Sequence, residues 1–289
     1  MFWRSKPQPT SPREAFGKLS DARWLKVLQR SITEPVIDGI RLPGFAAEEM
    51  QSKTVGSAYD KTLEEASNFY TYVKAACARH GKPIQAGTDI LDFGVSWGRI
   101  ISFFMKDVDA ANLHGVDTSA QYLDAARQTG VPGQLHQIEP LGRLPYGERA
   151  FDLAYAYSVF THLPEHVQDH WLADIARTLR PGGLLVATVE PPRFLDYFAA
   201  LDAKDPSLHP WHASMARKIG GNSGLKARLE SHGFVYIPQK EGGDGAGESY
   251  GDCVMTKAYV QEHWGRWFDI VDYVDDPKRF WQAVVVARV

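Results

Sequence analysis

Within the stretch Asp92-Phe93-Gly94-Val95-Ser96-Trp97-Gly98, a carboxylate, two glycines and a hydroxyl follow directly on the apolar pair Ile90-Leu91. Glycines at 94 and 98 permit backbone conformations and close approaches that a side chain would block. A helix starting after them points free N–H groups at whatever lies beyond the strand end, where open α/β sheets bind their ligands. The next apolar run closes in Gly115-Val116-Asp117. That sets a second carboxylate about 20 residues beyond Gly98, the spacing at which an acidic side chain holds ribose hydroxyls. Further along, His162 follows an apolar run, Glu190 ends another, and Tyr250 and Asp252 stand together. An imidazole that titrates near neutrality suits His162 to accept a proton, with Glu190 as the reserve base.

The elements that must position these groups are read from periodicity. Before residue 88 the chain carries helical patterns at Ala22 to Ile32 and Ala58 to Arg79, with Ile40 to Gly44 read as a loop between them. From Thr88 the pattern changes to apolar runs alternating with amphipathic helices, the signature of βα units and a parallel sheet. Strands are expected at Asp89 to Phe93, Leu113 to Val116, Gln134 to Ile138, Phe151 to Tyr157 and Leu184 to Val189. Helices are expected at Gly98 to Lys106, Ala120 to Thr129 and Glu165 to Leu179, the last stopped by Arg180-Pro181-Gly182-Gly183. After Glu190 the alternation breaks over about 191–256, an insertion that contains the Gly-rich tract Gly242 to Gly247. A helix at about Lys257 to Arg266 and strands at Phe268 to Val274 and Trp281 to Ala287 close the chain. The last two are too near in sequence for a parallel crossover, so they form an antiparallel hairpin. The fold expected is therefore α/β: a Rossmann-like, mostly parallel seven-stranded sheet with a C-terminal antiparallel hairpin, an N-terminal helical extension (1–87) and an insertion after strand five of the 88–289 domain.

In this pattern the chain resembles the class I S-adenosylmethionine-dependent methyltransferases. Asp92, Gly94 and Gly98 match the family's first motif, Asp117 its ribose-binding acid, and Leu179-Arg180-Pro181-Gly182-Gly183 its turn before strand five. The resemblance implies S-adenosylmethionine as cofactor, S-adenosylhomocysteine as product and no metal. Asp92, Gly94, Ser96, Gly98, Asp117, Glu139 and Tyr157 are the cofactor-contact candidates it suggests. Ser96 stands where the family has its middle glycine, and Glu139 is offset by one residue from the family's adenine contact. The pattern that includes Tyr157 to Leu163 and Tyr250 to Asp252 suggests a small-molecule or saccharide hydroxyl as methyl acceptor, with His162 or Glu190 as base and Tyr250 and Asp252 binding the acceptor.

Three other functions compete. Gly94-Val-Ser96-Trp-Gly98 also spells the nucleophile elbow of serine α/β-hydrolases, although the helical segment before it lacks the strands that fold needs. A nicotinamide-dependent oxidoreductase would need a further glycine near Ile101, which is missing. A cofactor-binding regulator without catalysis is the non-enzyme alternative. With 32 Lys and Arg against 35 Asp and Glu, a formal charge of -3 and no basic run, nucleic acid is not expected as a partner. No apolar run is long enough to span a bilayer, so a cytoplasmic protein without membrane insertion is expected. Cys77 and Cys253 form no metal-ligand pattern.

Overall fold

The computed structural model describes residues 9–222, 224–239 and 250–289. The Gly-rich tract Gly242 to Gly247 of the expected insertion lies outside the described residues. The described residues form eleven strands: β1 (Val36–Ile37), β2 (Ile40–Arg41), β3 (Ile90–Phe93), β4 (Leu113–Asp117), β5 (Gln134–Gln137), β6 (Phe151–Ala156), β7 (Leu179–Val189), β8 (Phe234–Pro238), β9 (Gly251–Met255), β10 (Asp269–Val274) and β11 (Ala283–Arg288). Seven of them make one mostly parallel sheet in the order β10-β11-β7-β6-β3-β4-β5. Its C-terminal hairpin is antiparallel, as β11 pairs antiparallel with both β10 and β7. The expected Rossmann-like sheet with a reversed last strand is the fold observed.

The chain divides into two compact units, residues 1–139 with 144–154, and residues 140–143 with 155–289. In the first, β3, β4 and β5 run parallel in register, pairing Phe93 with Val116 and Asp117 with Gln137. Every residue of β3 is buried, Asp92 among its apolar neighbours included, whereas β5 at the sheet edge is largely exposed and polar. Helices Asp21–Ser31 and Asp60–Arg79 bury Trp24, Leu28, Phe69, Tyr70 and Val73. The Trp24 indole N–H donates to the Phe103 carbonyl at 3.0 Å. Beneath this packing, Lys74 bridges Asp21 and Asp107 at 2.7 and 3.0 Å, and buried Lys106 bridges the same two carboxylates at 2.9 and 3.0 Å. Two ammonium groups thus face two carboxylates, the balance that a buried charge cluster requires.

Two local expectations in this unit are corrected. Ile40-Arg41, read as loop, forms β2 of a small hairpin, because Asp38 and Gly39 both adopt positive φ (49° and 80°) and close a tight two-residue turn. The helix expected over Gly98 to Lys106 is regular only at Ile101–Phe104. Around it the Phe103 N–H reaches Ile100 rather than Arg99, and the Ser102 hydroxyl bonds back to the Gly98 carbonyl at 2.8 Å.

In the second unit the helix Glu165–Thr178 buries Val167, Trp171, Leu172 and Ile175 along one face. It ends without a separate turn: Leu179 already belongs to β7, and Pro181-Gly182-Gly183 lie at the start of that strand, where the Gly182 N–H bonds to the Val289 carbonyl. Pro is tolerated at such a strand start. Beyond β7 the helices Arg193–Ala199, Pro210–Gly220 and Gly224–His232 and the antiparallel pair β8–β9 share a core of Phe194, Phe198, Met215, Leu229 and Val254. β9 also returns alongside the end of β7, through a parallel bridge between Val254 and Glu190.

Candidate functional site

The first unit builds a cradle at the ends of β3 and β4. Asp92 is buried within β3. After Phe93 the chain takes positive φ at Gly94 (85°), Ser96 (50°) and Gly98 (88°), and the Gly94 and Val95 N–H groups both bond to the Val116 carbonyl. This reversed path turns the Ser96 N–H onto Asp117 Oδ2 at 2.8 Å, while Asp117 Oδ1 takes the Ser119 N–H at 2.8 Å. Burial pushes the Asp117 carboxyl above its ordinary range, and backbone donors from Ser119, Ser96 and Thr118 pull it back. Each oxygen retains a lone pair for a further donor. The Ser96 hydroxyl is buried and has no hydrogen-bond partner among the described residues. A hydrolase nucleophile would need a base there.

Gly98 is also constrained by packing within the protein. A Cβ built there would lie 2.4 Å from Val131 Cγ1, so protein packing already excludes a side chain. Within the same unit, Pro43, Gly44 and Phe45 line a small cleft with Trp97, Gly98 and Val131. Glu139, two residues past β5, is exposed. These groups fit an adenosine-type cofactor: a carboxylate already anchored to the loop, and a buried hydroxyl without a partner among the described residues.

The second unit holds the remaining candidates. Tyr157 is half-buried immediately after β6. The segment that follows is pinned from beneath: buried Gln168 donates to the Phe160 and Leu163 carbonyls at 3.2 and 2.8 Å, and the Cys253 thiol donates to the Phe160 carbonyl at 2.9 Å. Backbone pairs Gly251 N–His162 O and Cys253 N–Thr161 O then align β9 beside this segment. His162, Tyr250 and Asp252 are brought together as a result. The His162 Nδ1 lies 2.8 Å from the Gly251 carbonyl and 3.4 Å from Asp252 Oδ1, and the Tyr250 ring stacks on the imidazole at 4.9 Å between centroids. A carbonyl only accepts, so Nδ1 carries the proton and Nε2 keeps its lone pair.

Glu190, at the end of β7, stands in a second group of contacts. Gln282 Nε2 donates to Glu190 Oε1 at 3.2 Å and to Ser158 Oγ at 2.9 Å, and the Ser158 N–H donates to Thr188 Oγ1 at 2.7 Å. Burial pushes the Glu190 carboxyl up to about 8, Gln282 opposing the rise and the Asp252 charge adding to it. Gln282, Ser158, Gln168 and Cys253 escaped the sequence reading. None of them stands at a spacing that marks it.

Among the described residues no three His, Cys, Asp or Glu side chains are arranged to hold a metal, and no helix is long and apolar enough to cross a membrane.

Comparison with known proteins bears on the same region. Residues 90–183 match the family described as a methyltransferase domain. The chain is 29% identical over 187 residues to O-methyltransferase cnsE of Penicillium expansum, covering 63% of this chain and 59% of that protein. It is 30% identical over 135 residues to trans-aconitate 2-methyltransferase of an Azoarcus species, covering 46% and 50%. The chain thus spans about half the length of these curated relatives. A solved S-adenosylmethionine-dependent methyltransferase from Clostridium acetobutylicum superposes with a TM-score of 0.54 at 13% identity, over 78% of this chain and 92% of that one, a likeness of fold.

Proposed function

We propose, for a chain whose residues 90–183 belong to the class I S-adenosylmethionine-dependent methyltransferases, that it methylates a hydroxyl of a small molecule or saccharide in the cytoplasm. Bound S-adenosylmethionine supplies an electrophilic methyl group on a sulfonium and leaves as S-adenosylhomocysteine. Asp117 accepts the ribose hydroxyls, its carboxylate oriented beforehand by the Ser96 and Ser119 N–H groups. Asp92, Gly94 and Gly98 shape the loop, the Ser96 hydroxyl offers it a further hydrogen bond, and Tyr157 and Glu139 are outer contacts.

The observation that carries the hydroxyl acceptor is the orientation of His162. Its Nδ1–H is spent on the Gly251 carbonyl beside Asp252, which leaves Nε2 as the atom that takes the acceptor's proton. Asp252 Oδ1, 3.4 Å from Nδ1, then steadies the imidazolium that forms. Tyr250, stacked on His162 and 47% exposed, flanks the acceptor.

Calorimetric titration with S-adenosylhomocysteine, run beside organophosphonate labelling, tests the reading. Saturable binding with Ser96 unlabelled is expected. Labelling of Ser96 in a protein that does not bind S-adenosylhomocysteine would assign the chain to the serine hydrolases instead.

A further inference from the structure

Glu190, Asp252 and Gln282 are 5%, 2% and 8% exposed, and each leaves one side-chain oxygen without a partner among the described residues: Glu190 Oε2, Asp252 Oδ2 and Gln282 Oε1. Buried polar atoms are normally paired, so three such atoms in one group call for an explanation. Four donors of the described residues around this group are already committed. Gln282 Nε2 serves Glu190 and Ser158, the Cys253 thiol serves the Phe160 carbonyl, and the Met255 N–H serves the Glu190 carbonyl. Arg193 is spent on Asp275 at 2.7 Å and on the Phe280 carbonyl at 3.1 Å. The amide bond from Gln282 to Glu190 keeps Gln282 Oε1 beside the glutamate. Glu190 and Val254 are bridge partners, and Asp252 lies two residues from Val254 in β9, on the same face.

We propose that Glu190, Asp252 and Gln282 form a subsite for a second hydroxyl group of the methyl acceptor, which makes the acceptor a polyol rather than a carboxylate. The assignment rests on the methyltransferase reading and adds to it the acceptor's chemical class. A hydroxyl offers one donor and two acceptor positions. With the Glu190 carboxyl held up at about 8, its proton at neutral pH sits on Oε2, because Oε1 already accepts from Gln282. The subsite then presents one O–H donor and two bare acceptor oxygens, a match for a hydroxyl. A carboxylate has no donor for Asp252 or Gln282 and meets the Asp252 charge at close range. An ammonium has no lone pair for the Glu190 proton.

The test is transfer of a labelled methyl group from S-adenosylmethionine to a probe panel. The panel holds monosaccharides with vicinal hydroxyls, their monodeoxy counterparts, amino sugars and trans-aconitate. Saccharides with vicinal hydroxyls are expected to be methylated, with kcat/KM falling at least tenfold in the best monodeoxy counterpart. Gln282→Leu is expected to erase that ratio while S-adenosylhomocysteine affinity, read by calorimetry, stays within twofold. Glu190→Gln, which keeps the shape of the side chain, is expected to lower the ratio without lowering the melting temperature. That result separates a ligand subsite from a structural one. Preference for trans-aconitate or an amino sugar would overturn the proposal, as would equal use of hydroxylated and deoxy probes. Binding of S-adenosylhomocysteine with no probe methylated would overturn the polyol and leave the methyltransferase reading standing. Failure to bind S-adenosylhomocysteine would remove that reading and the subsite with it.

Discussion

In the first unit both oxygens of Asp117 are held by backbone N–H groups, from Ser96 and Ser119, whereas in the second Glu190 Oε2, Asp252 Oδ2 and Gln282 Oε1 accept from no described residue. The two regions treat buried oxygen atoms in opposite ways. In the Asp117 loop the carboxylate is aimed by backbone donors and the path is held by bonds from Gly94 and Val95 to the Val116 carbonyl, although the buried Ser96 hydroxyl has no partner among the described residues. The cluster around Glu190 and His162 is held just as firmly from beneath, by Gln168 and Cys253, but its upper atoms carry an unmet demand. An unmet buried polar atom costs stability, of the order of 1–3 kcal/mol. The difference teaches that carboxylates at the ends of strands of one sheet are satisfied locally in the first region, whereas in the second three buried side-chain oxygens are left without a described donor, the contrast on which the proposed subsite rests.

Substitutions that strike one region and spare the other can break this division. The largest effect is expected from His162→Ala, which removes the proton acceptor while leaving the Asp117 cradle intact. Methyl transfer should fall by about 10²- to 10⁴-fold, with cofactor affinity nearly constant and the pH dependence of the rate flattened. A variant that methylates its acceptor at the wild-type rate would leave catalysis to positioning alone.

Asp117→Ala is the converse. Loss of a charge-assisted acceptor should weaken S-adenosylmethionine binding by roughly 1.5–3 kcal/mol, about ten- to a hundredfold, with the acceptor's KM little changed at saturating cofactor. Unchanged affinity in calorimetry would take Asp117 out of the site.

The smallest effect is on stability, and it sharpens the contrast by pH. Glu190 titrates at about 8 in the folded chain against 4.5 for an ordinary glutamate. Between those values the folded state binds more protons than the unfolded one, so this group's contribution is full below about 4.5 and is lost as pH rises through about 8. Melting temperature should decline over that window. Glu190→Gln should flatten the decline. An equal slope in wild type and variant would show that the carboxyl titrates in its ordinary range.

Much of the scaffold was legible because its signals are local. β3, β4 and β6 are short apolar runs buried in the sheet, and their boundaries fall within a residue of those read from the sequence. The hairpin of β10 and β11 follows from chain length alone. Where local signals conflict, the reading failed. Asp38-Gly39 is a hairpin turn hidden between very short strands, and the helix after Gly98 is cut back by Ser102, whose hydroxyl competes for a backbone carbonyl.

What the sequence by itself determined is the fold class and the cradle, since Ser96 and Asp117 are 21 residues apart and belong to one βα unit whose geometry is set by hydrogen bonds between adjacent strands. What only the tertiary structure decided is the cluster of His162, Glu190, Ser158 and Gln282. His162 meets Gly251 across 89 residues, Glu190 meets Gln282 across 92, and Ser158 meets Gln282 across 124. No periodicity spans such separations. These contacts exist because β9 returns beside the end of β7 and β11 runs antiparallel to it, and burial then gives Glu190 a proton affinity that its residue type does not carry.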